Sequence, residues 1–411
     1  MKTVKKILFW FLLILAGIVV AVVVFRDEIV LAIMRRELSA KMDRPFTKVK
    51  LPVIPDSVYA ALAADFDRCA QDPCRFIANE FDAHDIVFLG ENHRIRHDLL
   101  FVHQLIPILY QKGVRNMGFE FALNKDSLLI REVITNREVF DQEKANQIIF
   151  NLSPFWGFKE YIDVFRAAWE VNRKLPEGAE PFMIYGIMHN FDFSKMKSKS
   201  DENNDSVMLK VRNGVADGDK FMAECIINDF VRKGKKALIY CGIHHAFTGY
   251  KGHGQRTGVI VKDLIGDKAM TIALHYPWWN KKGFGYGAVY PVNGYIDAFI
   301  RKHRSKDFAF GISVENTAFG DLKDTTSSYC SEEALKLSSF CNGYVYLRPF
   351  GSAESVQIQD DFITGRNVDY ARSQLPNPEL RDGLFRFVGP KVFNQAALMD
   401  ADIICQFRHL Y

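Results

Sequence analysis

The chain of 411 residues lacks several signatures, and each gap removes a class of function. Its seven cysteines include no CxxC pair and no paired finger spacing, which excludes a structural zinc module of that kind. There is no long basic run and the formal net charge is only +4, so no electrostatic footprint for nucleic acid exists. No Gly-x-Ser-x-Gly occurs, which argues against the serine elbow of the α/β-hydrolases. The stretch Gly252-His253-Gly254-Gln255-Arg256-Thr257-Gly258 has the spacing of neither a P-loop nor a dinucleotide fingerprint. It reads as a flexible turn, with Arg256 available to an anionic substrate group. No internal repeat of solenoid length is present.

What is present begins with an anchor-like terminus. Lys2, Lys5 and Lys6 precede an uninterrupted apolar run from Ile7 to Phe25, about the length that crosses a bilayer as a helix. Ala16 and Ala21 make no convincing cleavage site before Arg26-Asp27-Glu28, so an uncleaved anchor is expected. The short basic tail then places the amino terminus inside and the body in the periplasm or outside the cell. The expected division is an anchor and juxtamembrane helix over 1–44, an α/β catalytic-type domain over 45–355, and an extension over 356–411 packed on that domain. Cysteine usage is compatible with an oxidising compartment. A turn at Pro73 would bring Cys69 and Cys74 within bridging distance, and Cys330 with Cys341 is a second candidate pair.

The body is organised around Asp85-Ile86-Val87-Phe88-Leu89-Gly90-Glu91-Asn92-His93. An apolar run rich in bulky and β-branched residues stops at a glycine, and a carboxylate and an imidazole follow. Leu99, Val102, Leu105, Ile106 and Leu109 then recur at helical spacing as far as Gly113. The pattern repeats. Strands are expected over 116–121, 181–187, 237–242 and 269–274, with further ones over 308–314 and 344–347. Helices are expected over 58–68, up to about Val171 with a break at 153–157, and over 220–233 ending at Gly234. The polar stretch from Lys195 to Asp219 reads as a surface loop or lid, and the chain beyond Gln357 reads as irregular. Alternating strands and helices of this kind make an α/β fold, a mainly parallel sheet with helices on both faces, here preceded by the transmembrane helix.

Glu91, His93, Glu120, His189, His244, His245 and His275 each fall at or just past the carboxyl end of an expected strand. In a parallel sheet these ends share one edge, where ligands bind. Scattered core histidines have no reason to choose that position repeatedly. Cys241, within an apolar strand, reads as buried and unreactive.

The segments Gly90-Glu91-Asn92-His93, Gly118-Phe119-Glu120 and Ile239-Tyr240-Cys241-Gly242-Ile243-His244-His245 resemble the erythromycin-esterase and ChaN-like superfamily, which includes the TraB and Tiki proteins. The stretch from Trp156 to Gly186, with Trp169, Asn172 and Tyr185-Gly186, is similar to the esterase branch. The resemblance covers about Ile86 to Tyr250, and more weakly Gly343 to Pro349. One departure stands out. The chain has Ile187-Met188 before His189, where the esterases tend to carry an aspartate, which leaves the substrate open. The resemblance implies a hydrolase centre of Glu91, His93, Glu120 and either His244 or His245, cleaving an ester or amide in a small-molecule or peptide substrate. It leaves two routes open, a histidine general base or a divalent metal that activates water. The haem-uptake branch implies instead a haem- or metal-binding protein without catalysis, with His275-Tyr276-Pro277-Trp278-Trp279, Tyr286 and Tyr290 as a pocket wall or as ordinary packing.

Overall fold

The computed structural model describes residues 10, 24–36, 48–250, 252, 254–283, 286–303, 308–330, 333–401, 407 and 409–410. One sheet is built from β1 (Ile86–Glu91), β2 (Asn116–Leu123), β3 (Met183–Met188), β4 (Ala237–Gly242), β5 (Ala269–Leu274), β6 (Phe310–Ser313) and β7 (Gly343–Tyr346). Across the sheet the order is β3-β2-β4-β1-β5-β7-β6. All neighbours run parallel except β6, which lies antiparallel to β7 at one edge. The principal helices are α1 (Asp56–Cys69), α2 (Pro73–Glu80), α3 (Arg96–Lys112), α4 (Ser127–Thr135), α5 (Gln142–Leu152), α6 (Lys159–Asn172), α7 (Gly218–Asp229), α8 (Ile243–Ala246), α9 (Thr257–Ile265), α10 (Tyr295–His303) and α11 (Pro390–Ala401).

Every residue of β1 is buried, because side chains alternate between two covered faces. Val87 and Leu89 join one apolar cluster with Leu99 and Leu105 of α3 and Tyr161 and Phe165 of α6. Ile86 and Phe88 join the other, with Leu62 of α1, Met222 of α7, Val261 of α9 and Phe299 of α10. The helix after β1 therefore packs on one face, while the helices after its neighbour β4 pack on the opposite face. Connections that diverge from adjacent parallel strands leave a crevice between their carboxyl ends. That crevice lies between Glu91 and Gly242, which are paired in register.

The expected transmembrane helix is corrected. Among the described residues no helix is long and apolar enough to cross a membrane. Of the run from Ile7 to Phe25, all but Trp10, Val24 and Phe25 lies outside the described residues. The fold class therefore stands as mixed α/β with a mostly parallel seven-stranded sheet, and no membrane span is assigned to it. The described helix over 24–36 instead packs inward, with Val30 and Leu31 in the core and Asp27 accepting the Gly389 N–H. Cys69, Cys74, Cys225, Cys241, Cys330 and Cys341 are free thiols, so neither candidate disulfide forms, and Cys405 lies outside the described residues.

Three boundaries differ from expectation. The stretch from Lys195 to Asp219 contains a short helix (Asp205–Val211), and α7 starts at Gly218 with the Asp217 side chain capping the Lys220 N–H. Asp219 thus belongs to a helix. The region beyond Gln357 is an integral part of one face: Phe362, Ile363, Val388, Val392 and Phe393 sit in its core. It is tied in by Glu160, which accepts both the Gln357 N–H at 2.8 Å and Arg96 Nε at 2.8 Å. Finally, β2 runs two residues past Phe121 through a register shift against β3 between Phe119 and Leu123.

Gly186 meets β2 at that irregularity. A Cβ there would lie 2.3 Å from the Leu123 carbonyl oxygen and 2.7 Å from that of Ala122. Backbone atoms cannot swing aside as side chains do, so Gly186→Ala is expected to lower unfolding stability by about 1–3 kcal/mol. Chemical denaturation checks this, and an unchanged midpoint would refute the close approach.

Candidate active site

Glu91 ends β1 on the same face as Val87 and Leu89, and is 1% exposed. The protein itself therefore supplies its solvation. The Tyr161 hydroxyl donates to Oε1 at 2.7 Å, the His93 Nδ1–H donates to Oε1 at 2.9 Å, and the Tyr240 hydroxyl donates to Oε2. Burial first, then the charge of Glu91, push both phenols well above their usual range, so they stay protonated donors. The chain leaves Glu91 through Arg94, whose φ of 72° lies in the left-handed region that non-glycine residues rarely occupy. Tyr161 fixes this turn as well, accepting the Arg94 N–H at 2.9 Å. His93 is set edge-on against Phe121 and Trp156. Its side chain is 38% exposed, and among the described residues its Nε2 has no hydrogen-bond partner. Burial works to lower its pKa, but the Glu91 hydrogen bond and the charges of Glu120 and Glu91 prevail and raise it. Behind Glu91 lies Asp98, fully buried with neither oxygen hydrogen-bonded. Burial and the charge of Glu91 push that carboxyl well above its ordinary range.

A second dyad approaches from the opposite face. His245, on the one-turn helix α8, donates from Nδ1 to Asp219 Oδ1 at 2.8 Å. Asp219 also accepts the Thr257 N–H at 2.9 Å, the Thr257 hydroxyl at 2.8 Å and Arg256 Nη1 at 3.0 Å. Burial would raise the pKa of Asp219, yet His245 and Thr257 outweigh it and hold the carboxyl well below its usual range. The His245 pKa is raised: burial opposes, but the charge of Glu120 and the Asp219 bond dominate, with Arg256 opposing. Glu120 stands between the dyads, 5% exposed. Its Oε2 accepts the Gly242 N–H at 2.6 Å, and its Oε1 lies 3.7 Å from His245 Nε2. A Cβ on Gly242 would lie 2.7 Å from His93 Cε1 and 3.6 Å from Glu120 Oε2. The His93 ring sits where any other side chain at 242 would be.

The structure thus brings Glu91, His93, Glu120 and His245 together. His244 points elsewhere: it is exposed, and its Nε2 lies 2.9 Å from the Tyr329 hydroxyl. Consecutive helical residues diverge, so only one of the pair reaches the crevice. His189 is buried, with its Nδ1–H on the Asn190 carbonyl and its pKa lowered by burial. It backs the start of α7, its Nε2 3.2 Å from where a Cβ on Gly218 would stand. His275 is committed on both nitrogens, to the Tyr344 hydroxyl at 2.7 Å and to Asp297 at 3.2 Å, which leaves no nitrogen for a haem iron. Tyr276 and Trp278 are buried and pack in the core, whereas Tyr286 is exposed and Tyr290 lines a cavity. Arg256 holds Asp219 through Nη1, and His253 lies outside the described residues. Burial pushes the Cys241 thiol well above its ordinary range, which makes it a poor nucleophile.

Among the described residues no three His, Cys, Asp or Glu side chains gather as a metal-ligand cluster. The donors explain this, since both Nδ1 atoms face carboxylates and Glu120 Oε2 is taken by a backbone N–H. Among the described residues the metal route expected from the resemblance has no ligand set. Asp219, Tyr161 and Tyr240 complete the site and were not expected in it. Asp217-Gly218-Asp219 ahead of an apolar helical stretch is a helix-start signal that would have placed Asp219 on an ordered element. Nothing in the sequence separates Tyr161 and Tyr240 from core aromatics.

No protein-family model matches the sequence, and no curated protein does. Solved structures do match. A protein from Bacillus cereus is similar at a TM-score of 0.50 and 12% identity, over 75% of this chain and 100% of its own. An erythromycin esterase mutant in its open conformation gives 0.47 and 11%, over 78% and 100%. ChaN of Campylobacter jejuni, with cofacially bound haem, gives 0.34 and 14%, over 49% and 85%. Identities this low speak to the fold alone, which the chain shares with the Bacillus cereus protein.

Proposed function

We propose that the protein is a hydrolase that cleaves an ester or amide with water activated by imidazole. One observation carries this reading. Two histidines, each oriented through Nδ1 by a buried carboxylate, converge from opposite faces of the sheet on a third carboxylate. A carboxylate accepts only, so each Nδ1 must carry the hydrogen, and each Nε2 is left for proton transfer. His93 Nε2, free of partners, takes a proton from water. The hydroxide oxygen bonds the carbonyl carbon, and the bond to the leaving oxygen or nitrogen breaks as His245 Nε2–H protonates it. The proton on His93 then passes to solvent, which recharges His245. Glu120 beside Nε2 favours the protonated form of His245, which suits it to the acid role.

The pH dependence follows from these roles. His93 must be neutral and His245 charged, and both pKa values lie above the ordinary 6.5. The acid limb of kcat/KM, from protonation of His93, and the alkaline limb, from deprotonation of His245, are therefore expected above pH 6.5. Glu91→Gln removes a charge that raises the His93 pKa, so the acid limb moves to lower pH. Asp219→Asn does the same to His245, so the alkaline limb moves to lower pH. Profiles on short-chain nitrophenyl esters and fluorogenic amides test this, and limbs that stay in place in both variants would overturn the assignment.

Two substitutions test the geometry with the same substrates. His93→Gln is expected to cost about 10²–10⁴-fold in turnover with the fold intact by circular dichroism. Gly242→Ala pushes the His93 ring aside and is expected to cost about 10²-fold, since a misplacement near 1 Å has that effect. Full turnover in either variant would count decisively against imidazole-activated water.

A further inference from the structure

A cavity of about 430 Å³ lies beside the carboxyl ends of β5 and β7, and its lining includes Tyr290, Asp297, Arg301, Tyr346, Phe350 and Leu410. None of its lining residues belongs to the two dyads. Its size is that of a small-molecule site. The lining carries three features that ordinary packing does not explain.

Asp297 is 6% exposed, and among the described residues only one of its oxygens is satisfied: Oδ1 accepts from His275 Nε2, while Oδ2 has no hydrogen-bond partner. His275 cannot do more. Its Nδ1 lies 2.7 Å from the Tyr344 hydroxyl, so both ring nitrogens already have partners. A buried carboxylate oxygen left bare costs free energy that a ligand donor would recover. The second feature is an aromatic wall. Phe350 stacks on Tyr290 at 5.5 Å between ring centroids and on His275 at 4.3 Å. The third is Arg301, exposed at the same cavity and in no ion pair among the described residues. It lies four residues after Asp297 on α10, so the two charges project from one helix face about 5–6 Å apart at Cβ.

We propose that this cavity binds a small amino-acid-like zwitterion, with its ammonium on Asp297, its carboxylate on Arg301 and an apolar side chain against Tyr290 and Phe350. A free α-amino acid carries both charges within one small group, so an acid and a base one helical turn apart can reach both. A lone cation would leave Arg301 opposing it, and a lone anion would face Asp297.

The test uses the full-length protein, titrated calorimetrically with L-leucine and L-phenylalanine up to about 10 mM, the weak end of specific small-ligand affinity. Phenethylamine lacks the carboxylate and phenylpropionate lacks the ammonium, and both serve as controls. Saturable binding of an amino acid is expected, weakened about tenfold or more by Arg301→Ala and by Asp297→Asn, with neither control matching it. Arg301 is exposed, so its variant keeps the test valid should Asp297→Asn misfold. Absence of binding by both amino acids overturns the proposal. So does phenethylamine binding as tightly as phenylalanine with Arg301→Ala silent, which would mark a cation site only. A crystal soaked with the amino acid that shows only water, or the Arg301 guanidinium, on Asp297 Oδ2 also overturns it.

Discussion

A carboxylate buried at the end of the central strand constrains everything around it. Glu91 has almost no access to water, and a bare buried charge of that kind costs several kcal/mol or more. It persists because three donors reach it from three separate parts of the chain: the loop after β1, the helix α6 and the neighbouring strand β4. Each of those donors is thereby fixed. His93 is held in one tautomer, Tyr161 pins the strained turn at Arg94, and Tyr240 is locked beneath the crevice. Orientation of the imidazole is thus a by-product of solvating the carboxylate.

The sheet imposes the second constraint. Side-chain alternation sends Glu91 to the α3 and α6 face, while Glu120, out of phase with Phe119 and Phe121, and His245 on α8 belong to the other. Groups on opposite faces of a covered sheet can meet only over its edge, past the last ladder bonds. Gly242 is at that point: it ends β4, caps α8, gives its N–H to Glu120 and leaves room for the His93 ring. The crevice is a consequence of strand order, because β1 and β4 are neighbours whose following helices diverge.

Much of this could be read from the residues. Buried parallel strands are continuous apolar runs, so their ends are conspicuous, and Gly90-Glu91 and Gly242 mark two of them plainly. Convergence of Glu91, His93, Glu120 and one of His244 and His245 follows from parallel strands alone. What alternation and periodicity do not carry is the phase of a one-turn helix, and that phase is what turns His245 and not His244 into the crevice. Nor do they tell a tyrosine that solvates a carboxylate from one that merely packs, since Tyr161 lies on the same apolar stripe as Val164, Phe165 and Ala168. Asp219 was hidden by its polar surroundings, though it starts a helix. The tail beyond Gln357 was illegible because its core residues lie in short helices, too brief for periodicity to show.

The two dyads are not equivalent, and the difference lies in how each carboxylate is neutralised. Asp219 is held by a guanidinium, a hydroxyl and a backbone N–H besides His245. Glu91 is held by two phenols besides His93, and no cation hydrogen-bonds to it among the described residues. Each phenol draws part of the carboxylate charge into its own hydrogen bond, which loosens the hold of Glu91 on the His93 proton. His245 has Glu120 directly beside the nitrogen that would lose its proton, and that carboxylate resists the loss. His93 presents an Nε2 with no such neighbour within hydrogen-bonding distance. An imidazole that can shed a proton to solvent between cycles, opposite one that tends to keep its own, is the asymmetry that acid and base roles at one crevice require.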